Sequence, residues 1–419
     1  MHSCCLKARV AALLTVMLLC VACNDVYRPI VTPVPLPGGD PGSVDFTAVL
    51  SMNPAGGQDM VTFIDVSGDT NVGNRQVGPG ASWISWDGNK THAVVPNTSL
   101  NTVSQVTFSS SAVSTASLFP GSQPVFSFSR NTTNAYVLNK GTNTDCPSSG
   151  SIGVLLSSNN SLQSNICVGP SPVFFTQTFD GARLIVLDDT LGEAWIINVN
   201  SHAIEAKLAV GSNPVWALVS TDNSTAYVLN KGSNDITVLD IPNDAVVNAS
   251  IPTNGNSPVF MAMDVKRTRI YVSNQGSDSV SVFDISHQTP VTLHAPVSLG
   301  SGTAPSALTV LADGSAVYAA NTGTNFVTRI DGNSFLTQQI SVSQAAGAKV
   351  TWVTSSVSGD RIYATVVEPA DLQNGTAIVR TTDNVLVTTI MAPQQDLNCL
   401  PSTTVTCPLM RPGQVVGRQ

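Results

Sequence analysis

The sequence predicts an all-β fold, a β-propeller of four-stranded blades, and three observations support this prediction. A proline-led motif recurs at intervals of 42 to 48 residues, which is the length of one four-stranded blade. Within each copy, short apolar segments with a period of two residues are joined by turns rich in Asn, Gly and Ser. Only 11% of the residues are charged, which argues against long amphipathic helices.

The repeat is clearest in the middle of the chain. GSNP at residues 211–214 is followed by AYVLN at 226–230 and by ITVLD at 236–240. The same order of segments starts at Gly121, Gly255 and Gly302, and weaker copies start at Pro79 and Pro172 and after Gly347. One copy has two apolar faces that it cannot bury alone, so we expect the copies to stack around an axis as blades.

The Tyr-Val-x-Asn segment, the following Asn/Gly turn and the final Asp resemble the YVTN-type β-propeller repeat family of exported and surface proteins. The resemblance covers approximately residues 46–390 and implies seven blades. Residues 46–77 look like three strands that lack a first strand, and the stretch around residues 405–416 is a candidate for it. We therefore favour seven blades and keep eight as the alternative.

The N-terminus is typical of an export signal. Lys7 and Arg9 precede an apolar segment at residues 10–21, and LCVAC at 19–23 resembles a bacterial lipobox, which implies a lipid on Cys23. Prolines and glycines then form an extended tether. We expect a signal peptide at 1–22, a lipidated cysteine and tether at 23–45, and a propeller at 46–419. The alternative is an ordinary cleaved signal. Asn24 after the cysteine favours the outer membrane of a bacterial cell envelope.

Four cysteines remain beyond the signal and the lipidated Cys23, and they form two local pairs. In an exported protein this arrangement predicts the disulfides Cys146–Cys167 and Cys399–Cys407. Neither a CxxC spacing nor a nearby histidine indicates a metal site.

No catalytic motif, cofactor-binding motif or metal-binding motif is recognisable, so we assign no catalytic residue, cofactor or metal. No basic run that would bind nucleic acid is present. Loops that differ between blades are the better candidates for function. We expect a binding face where the loops before the first strand and after the second strand emerge, together with an insertion at residues 140–167. Its candidate residues are Lys140, Lys231, Asn230, Asn274 and Asn321.

The aromatic residues two places after the repeated proline predict packing between blades, and a ligand platform is the alternative. These residues are Phe126, Phe174, Trp216 and Phe260.

Our leading interpretation is a non-catalytic binding or scaffolding module for a protein or glycan partner, in contact with the membrane through its lipid only. Whether the protein is an enzyme stays open, with the balance against it. The alternative is a propeller enzyme of lactonase-like or quinoprotein-like type that acts at the mouth of the central channel. Asp, Arg and His side chains grouped at that mouth would favour the enzyme.

Overall fold

The computed structural model describes residues 46–108, 110, 112–399 and 406–417. The predicted signal peptide, Cys23 and the tether lie outside these residues. The described chain is built of β-strands, with two short 3-10 helices at Thr98–Leu100 and Gln275–Ser277. None of its helices is long and apolar enough to cross a membrane.

The strands follow one another in groups of four, each group forming one antiparallel sheet. The first half of the chain contains β1 (Phe46–Met52), β2 (Asp59–Asp65), β3 (Thr70–Val77), β4 (Ser85–Trp86), β5 (His92–Asn97), β6 (Thr102–Thr107), β7 (Val113–Ser117), β8 (Pro124–Phe128), β9 (Asn134–Asn139), β10 (Ser151–Leu156), β11 (Ser161–Cys167), β12 (Pro172–Gln177), β13 (Arg183–Asp188), β14 (Glu193–Asn198) and β15 (Ile204–Ala209). The second half contains β16 (Pro214–Val219), β17 (Thr225–Asn230), β18 (Asp235–Asp240), β19 (Ala245–Pro252), β20 (Pro258–Asp264), β21 (Arg269–Asn274), β22 (Ser279–Asp284), β23 (Val291–Ser298), β24 (Pro305–Val310), β25 (Ala316–Asn321), β26 (Phe326–Asp331), β27 (Thr337–Ser341), β28 (Lys349–Ser355), β29 (Arg361–Val367), β30 (Gly375–Arg380), β31 (Val385–Met391) and β32 (Arg411–Gly417).

The sheets form eight blades, which confirms the all-β propeller. Strands β4–β7 make blade 2, and each later group of four makes the next blade, up to β28–β31 in blade 8. In blade 1 the sheet order is β3-β2-β1-β32, so the last strand of the chain supplies the missing first strand. The resemblance favoured seven blades, and this number is therefore corrected to eight, which was our alternative.

Burial follows the position of each strand in its blade. The second and third strands are almost wholly buried, as in β17 and β18, because apolar side chains on both of their faces contact neighbouring blades. The fourth strands are mostly exposed, as in β23. The first strands line the axis, and their side chains decide what the centre of the molecule can hold.

The repeated proline and the repeated asparagine are partners across the first two strands of a blade. Pro258 pairs with Asn274, and the register shifts between Pro258 and Phe260, which marks a β-bulge. The preceding loop packs on the asparagine side chain: a Cβ on Gly255 would lie 2.2 Å from Cγ of Asn274. The same close approach occurs between Gly211 and Asn230, so in these two blades the space requires glycine.

Disulfide bonding is present, as the cysteine spacing predicts. Cys146 is bonded to Cys167, and Cys399 is bonded to Cys407. The segment 140–167, however, is not an insertion throughout, because β10 and β11 are the regular third and fourth strands of blade 3. Only residues 140–150 form a longer loop, and the first disulfide attaches this loop to the end of β11.

Candidate functional site

Six aromatic rings close the centre of the propeller. Each belongs to the first strand of a blade or to the residues just before it, and neighbouring ring centroids around the circle are 4.3 to 5.5 Å apart. The six are Trp83, Phe126, Phe174, Trp216, Phe260 and Trp352. Trp83 of blade 2 also lies 6.2 Å from Trp216 of blade 5. Blades that are not adjacent can meet only at the axis, so these rings fill the central channel.

The repeated aromatics pack between blades, as predicted, and they do so around the axis. The β-bulge after the proline is present before Phe126, Phe174, Trp216 and Phe260, and a bulge after Val350 precedes Trp352. A bulge re-aims the side chain that follows it. The aromatics therefore face one another across the axis. They form the floor of a cavity, in agreement with the alternative of a ligand platform.

A cavity of about 650 Å³ lies on this aromatic floor and takes lining residues from all eight blades. Its volume is in the range of small-molecule sites. It opens at the loops that join the first to the second strands, since Asp87, Lys90, Arg130 and Phe179 of these loops line it. The channel therefore offers a pocket on one face, with an apolar floor and a charged mouth.

The lining also contains polar groups that a ligand could contact. Ser85 Oγ lies 2.8 Å from Ser127 Oγ in the next blade, and Thr309 Oγ1 donates to Ser355 Oγ at 3.2 Å. The buried Nε1 of Trp216 has no acceptor among the described residues. An unsatisfied buried donor costs free energy, and an acceptor on a bound molecule would recover it.

Asp87 and His92 form a hydrogen-bonded acid–base pair beside the cavity. Asp87 Oδ2 lies 2.7 Å from His92 Nδ1, and the aspartate side chain is buried. Oδ1 of Asp87 accepts the backbone N–H groups of Thr91 and His92. The pair therefore closes the turn between β4 and β5. Among the described lining residues, Asp87 is the only carboxylate.

Arg130 is held at the mouth by its neighbours. Its backbone N–H donates to Gln177 Oε1 at 2.7 Å, and its Nε donates to the backbone oxygen of Gln177 at 3.2 Å. The guanidinium carbon lies 3.7 Å from the ring centroid of Phe179 and 5.3 Å from that of Phe128. Desolvation lowers the pKa of Arg130, but part of the side chain remains exposed and a guanidinium stays protonated at neutral pH.

Lys90 is the second cation at the mouth, and its backbone is unusual. Its φ is 57°, in the left-handed region. The corresponding turn position is filled by Gly181, Gly314 and Gly359 in blades 4, 7 and 8 and by Asn223 in blade 5. Glycine and asparagine adopt this conformation readily, whereas other residues adopt it at a cost. Blade 2 thus has a lysine at a position where three other blades have glycine.

The loops that carry the two cations are joined. Asn89 donates a side-chain hydrogen bond to the backbone oxygen of Thr132 at 2.6 Å. A Cβ on Gly88 would lie 2.0 Å from the oxygen of Asn131, so only glycine permits this contact. Lys90 and Arg130 therefore stand on adjoining loops at the same mouth.

The binding face predicted from sequence is not where the cavity opens. Asn230, Asn274 and Asn321 are completely buried and donate to Ser, Thr, Asp or backbone acceptors of their own blades, so they cannot contact a ligand. Lys140 and Lys231 follow the second strands and lie on the opposite face. The sequence missed the Asp87–Lys90 turn and Arg130. The only signal in the sequence that could have indicated this site was Lys90, which stands where other copies of the turn between the first and second strands have glycine.

Comparisons with known proteins agree with the fold. A family model described as "Lactonase, 7-bladed beta-propeller" matches residues 217–294. No curated protein matches the sequence significantly.

Several solved structures share the fold at low identity. The dihydro-heme d1 dehydrogenase NirN, in complex with DHE, has a TM-score of 0.69 and 14% identity over 91% of this chain and 78% of its own. A protein from Bacteroides fragilis, provisionally assigned as a 6-phosphogluconolactonase, has a TM-score of 0.55 and 14% identity over 72% of this chain and 95% of its own. Virginiamycin B lyase from Staphylococcus aureus, with quinupristin, has a TM-score of 0.52 and 13% identity over 68% and 92%.

These findings correct the interpretation of the chain as a non-catalytic binding module. The matched family model is described as a lactonase, which favours the alternative, a propeller enzyme, over this interpretation. The similar structures just described are 13 or 14% identical to this chain and show the fold alone. Of the Asp, Arg and His side chains that would favour that alternative, Asp87 and Arg130 line the mouth, and His92 contacts Asp87 without lining the cavity itself.

A haem-type cofactor does not fit the cavity as the chain builds it. The described lining residues include no histidine, cysteine, methionine or tyrosine that could bind haem iron. No group of three or more His, Cys, Asp or Glu side chains in the described part of the chain could hold a metal ion.

Proposed function

We propose that this protein is a propeller enzyme that hydrolyses a small cyclic ester in the axial cavity. The observation that carries the proposal is the cavity itself: an aromatic floor that can hold an apolar ring, with one carboxylate and two cations at its mouth. The lactonase family match over residues 217–294 supports this reaction class over the dehydrogenase class.

The reaction requires two catalytic roles from the protein, polarisation of the carbonyl group and activation of water. Water adds to the carbonyl carbon, the acyl C–O bond of the ring breaks, and the ring oxygen takes a proton to give a hydroxy acid. We assign polarisation of the carbonyl oxygen to the Arg130 guanidinium, which is positioned before substrate arrives. We assign removal of the proton from water to Asp87, the only carboxylate among the described lining residues, with His92 as its hydrogen-bonded partner outside the lining.

The test is proton release from neutral lactones of increasing ring size, measured in a pH-stat with wild type and Asp87→Ser. Serine occupies the equivalent turn position in blades 3, 5 and 8, where Ser220 and Ser356 accept the same backbone N–H that Asp87 accepts. The variant should therefore fold. We expect kcat to fall about 100-fold or more, as for loss of a general base.

The matched control is Asp313→Ser in the equivalent loop of blade 7, which does not line the cavity and should leave kcat unchanged. The proposed reaction would be refuted if the protein hydrolysed none of the lactones faster than the uncatalysed rate, or if Asp87→Ser and wild type had equal kcat.

For the location, we propose the bacterial cell envelope, with the enzyme anchored through a lipid on Cys23. The support is the lipobox-like LCVAC segment at residues 19–23 and the proline-rich tether after it.

A further inference from the structure

Arg130 differs in its partners from six other arginines of the described propeller. Six arginines lie within ion-pair distance of a carboxylate: Arg183, Arg267, Arg329, Arg361, Arg380 and Arg411. Arg130 has no such carboxylate among the described residues, and its contacts use only Nε and the backbone N–H. Both terminal amino groups are thus left without a protein acceptor in the described part of the chain.

The guanidinium is nevertheless fixed in place. Gln177 holds Nε, and the ring of Phe179 covers the guanidinium at 3.7 Å. A planar guanidinium with two free NH2 groups is suited to bidentate binding of a carboxylate or phosphate. The chain has a formal net charge of −8, so acidic residues outnumber basic ones. A shortage of carboxylates in the protein therefore does not explain why Arg130 has no carboxylate partner.

Lys90 supplies a second, independent observation. It also lacks a carboxylate within ion-pair distance in the described residues, and it lines the same cavity. Its backbone adopts a conformation that the fold gives to glycine in three other blades. A strained residue at a site supports the inference that its side chain serves that site. Asp87, the lining carboxylate, is engaged by His92 and does not neutralise either cation at the distances observed.

We infer that the axial cavity binds a small molecule with an apolar ring body and a carboxylate group, the ring on the aromatic floor and the carboxylate between Arg130 and Lys90. This inference deepens the proposed function, because hydrolysis of a cyclic ester yields a carboxylate. It concerns binding and does not require turnover.

The experiment compares 1-adamantaneacetate with 1-adamantaneacetamide, which has the same ring body but no charge. Calorimetry measures affinity. Tryptophan fluorescence reports the position, because Trp83, Trp86, Trp216 and Trp352 line the cavity and neither compound absorbs with them. We expect the carboxylate to bind at least tenfold more tightly than the amide and to change the emission. The preference should weaken with added salt.

Three variants locate the effect. Arg130→Gln should remove most of the tenfold preference, and Lys90→Gly should reduce it while leaving the Tm at or above that of wild type. Lys140→Gln, an exposed lysine on the opposite face, should change neither affinity. Equal affinities for the two compounds, no binding of either, or a preference that survives both Arg130→Gln and Lys90→Gly would overturn the inference. Carboxylate binding without hydrolysis of any lactone would instead refute only the proposed reaction.

Discussion

At the scale of single residues, the tyrosine of the repeat is a packing position. Tyr136, Tyr227, Tyr271, Tyr318 and Tyr363 occupy the same place in the second strands of five blades, and each is at most 2% exposed. Burial raises the pKa of Tyr227 to about 12, with a further contribution from the charge of Asp222. A position that is buried alike in five blades serves the frame of the propeller and not a single site.

We predict that Tyr363→Ala lowers the free energy of unfolding by about 3 to 5 kcal/mol, the usual cost of truncating a buried aromatic side chain. Tyr363→Phe is the control. The Tyr363 hydroxyl is buried without a partner among the described residues, so its removal should be neutral or slightly stabilising. Denaturant unfolding of the two variants and wild type tests this, and Tyr227→Ala should behave like Tyr363→Ala. A Tyr363→Ala variant as stable as wild type would show that the ring does not pack.

At this scale the repeat explains which residues are buried, although we had expected its asparagines on a binding face. The tyrosines and asparagines recur at fixed offsets, and a repeated residue in a repeated environment is buried alike in every copy. Arg130 and Lys90 occur once each, so no pattern distinguishes them. Their importance depends on the partners that they lack, and partners across blades are visible only in the folded chain.

At the scale of elements, the loop at residues 140–150 is held to blade 3 by its disulfide. Cys146 is buried and Cys167 ends β11. Asn143 organises the loop, because its Oδ1 accepts the backbone N–H groups of Asp145 and Cys146. The bond therefore joins two ordered segments of one blade.

We predict that replacing both Cys146 and Cys167 with serine lowers the free energy of unfolding by about 3 kcal/mol, because a closed loop restricts the unfolded chain. The sequence separation of this pair is 21 residues, against 8 for Cys399–Cys407. Loss of the shorter loop should thus cost less, about 2.5 kcal/mol. Denaturant unfolding of the two double variants measures both values. An equal or larger loss for the Cys399–Cys407 variant would contradict the unfolded-state explanation.

At the scale of the whole molecule, the ring is closed by a strand from the other end of the chain. β32 pairs with β1, and Arg411 at its start donates to Asp371 of blade 8 through Nε and Nη2 at 2.8 and 2.9 Å. Burial acts to raise the pKa of Asp371, but hydrogen bonds from Arg411, Asn374 and Gln395 and the charge of Arg411 together outweigh it, and the pKa is lowered. Nearby, three backbone N–H groups similarly lower the pKa of Glu368 against its desolvation.

These lowered values predict loss of stability in acid. A carboxyl group whose pKa is lower in the folded state contributes stability above its unfolded pKa, and this contribution disappears as the pH falls through the folded pKa. For Asp371 the decline should begin near its ordinary pKa of 3.8. At pH 6, Asp371→Asn should be less stable than wild type by about 1.5 to 3 kcal/mol, the value of a charged hydrogen bond. Well below the folded pKa the difference should vanish.

Unfolding experiments from pH 6 to pH 2 measure this convergence. Asp383→Asn is the matched control, since Asp383 pairs with Arg380 in an exposed ion pair and such pairs contribute little. A difference between Asp371→Asn and wild type that stays constant over the whole pH range would mean that the Arg411 contact does not depend on the charge of Asp371.

The sequence by itself determined the repeating unit, and through it the fold. Intervals of 42 to 48 residues, period-two strands and polar turns specify a four-stranded blade, because these patterns are local and recur. Residues 46–77 show three strands of a blade without its first strand, so the sequence left the number of blades open. Only the pairing of β32 with β1 showed that the propeller has eight blades, because this pairing joins the two ends of the described propeller.

The tertiary structure also determined the site. A β-bulge turns the repeated aromatics towards the axis, and the turns between first and second strands bring Asp87, Lys90 and Arg130 to the same mouth of the cavity. Such contacts join different blades, and no pattern within one repeat encodes them.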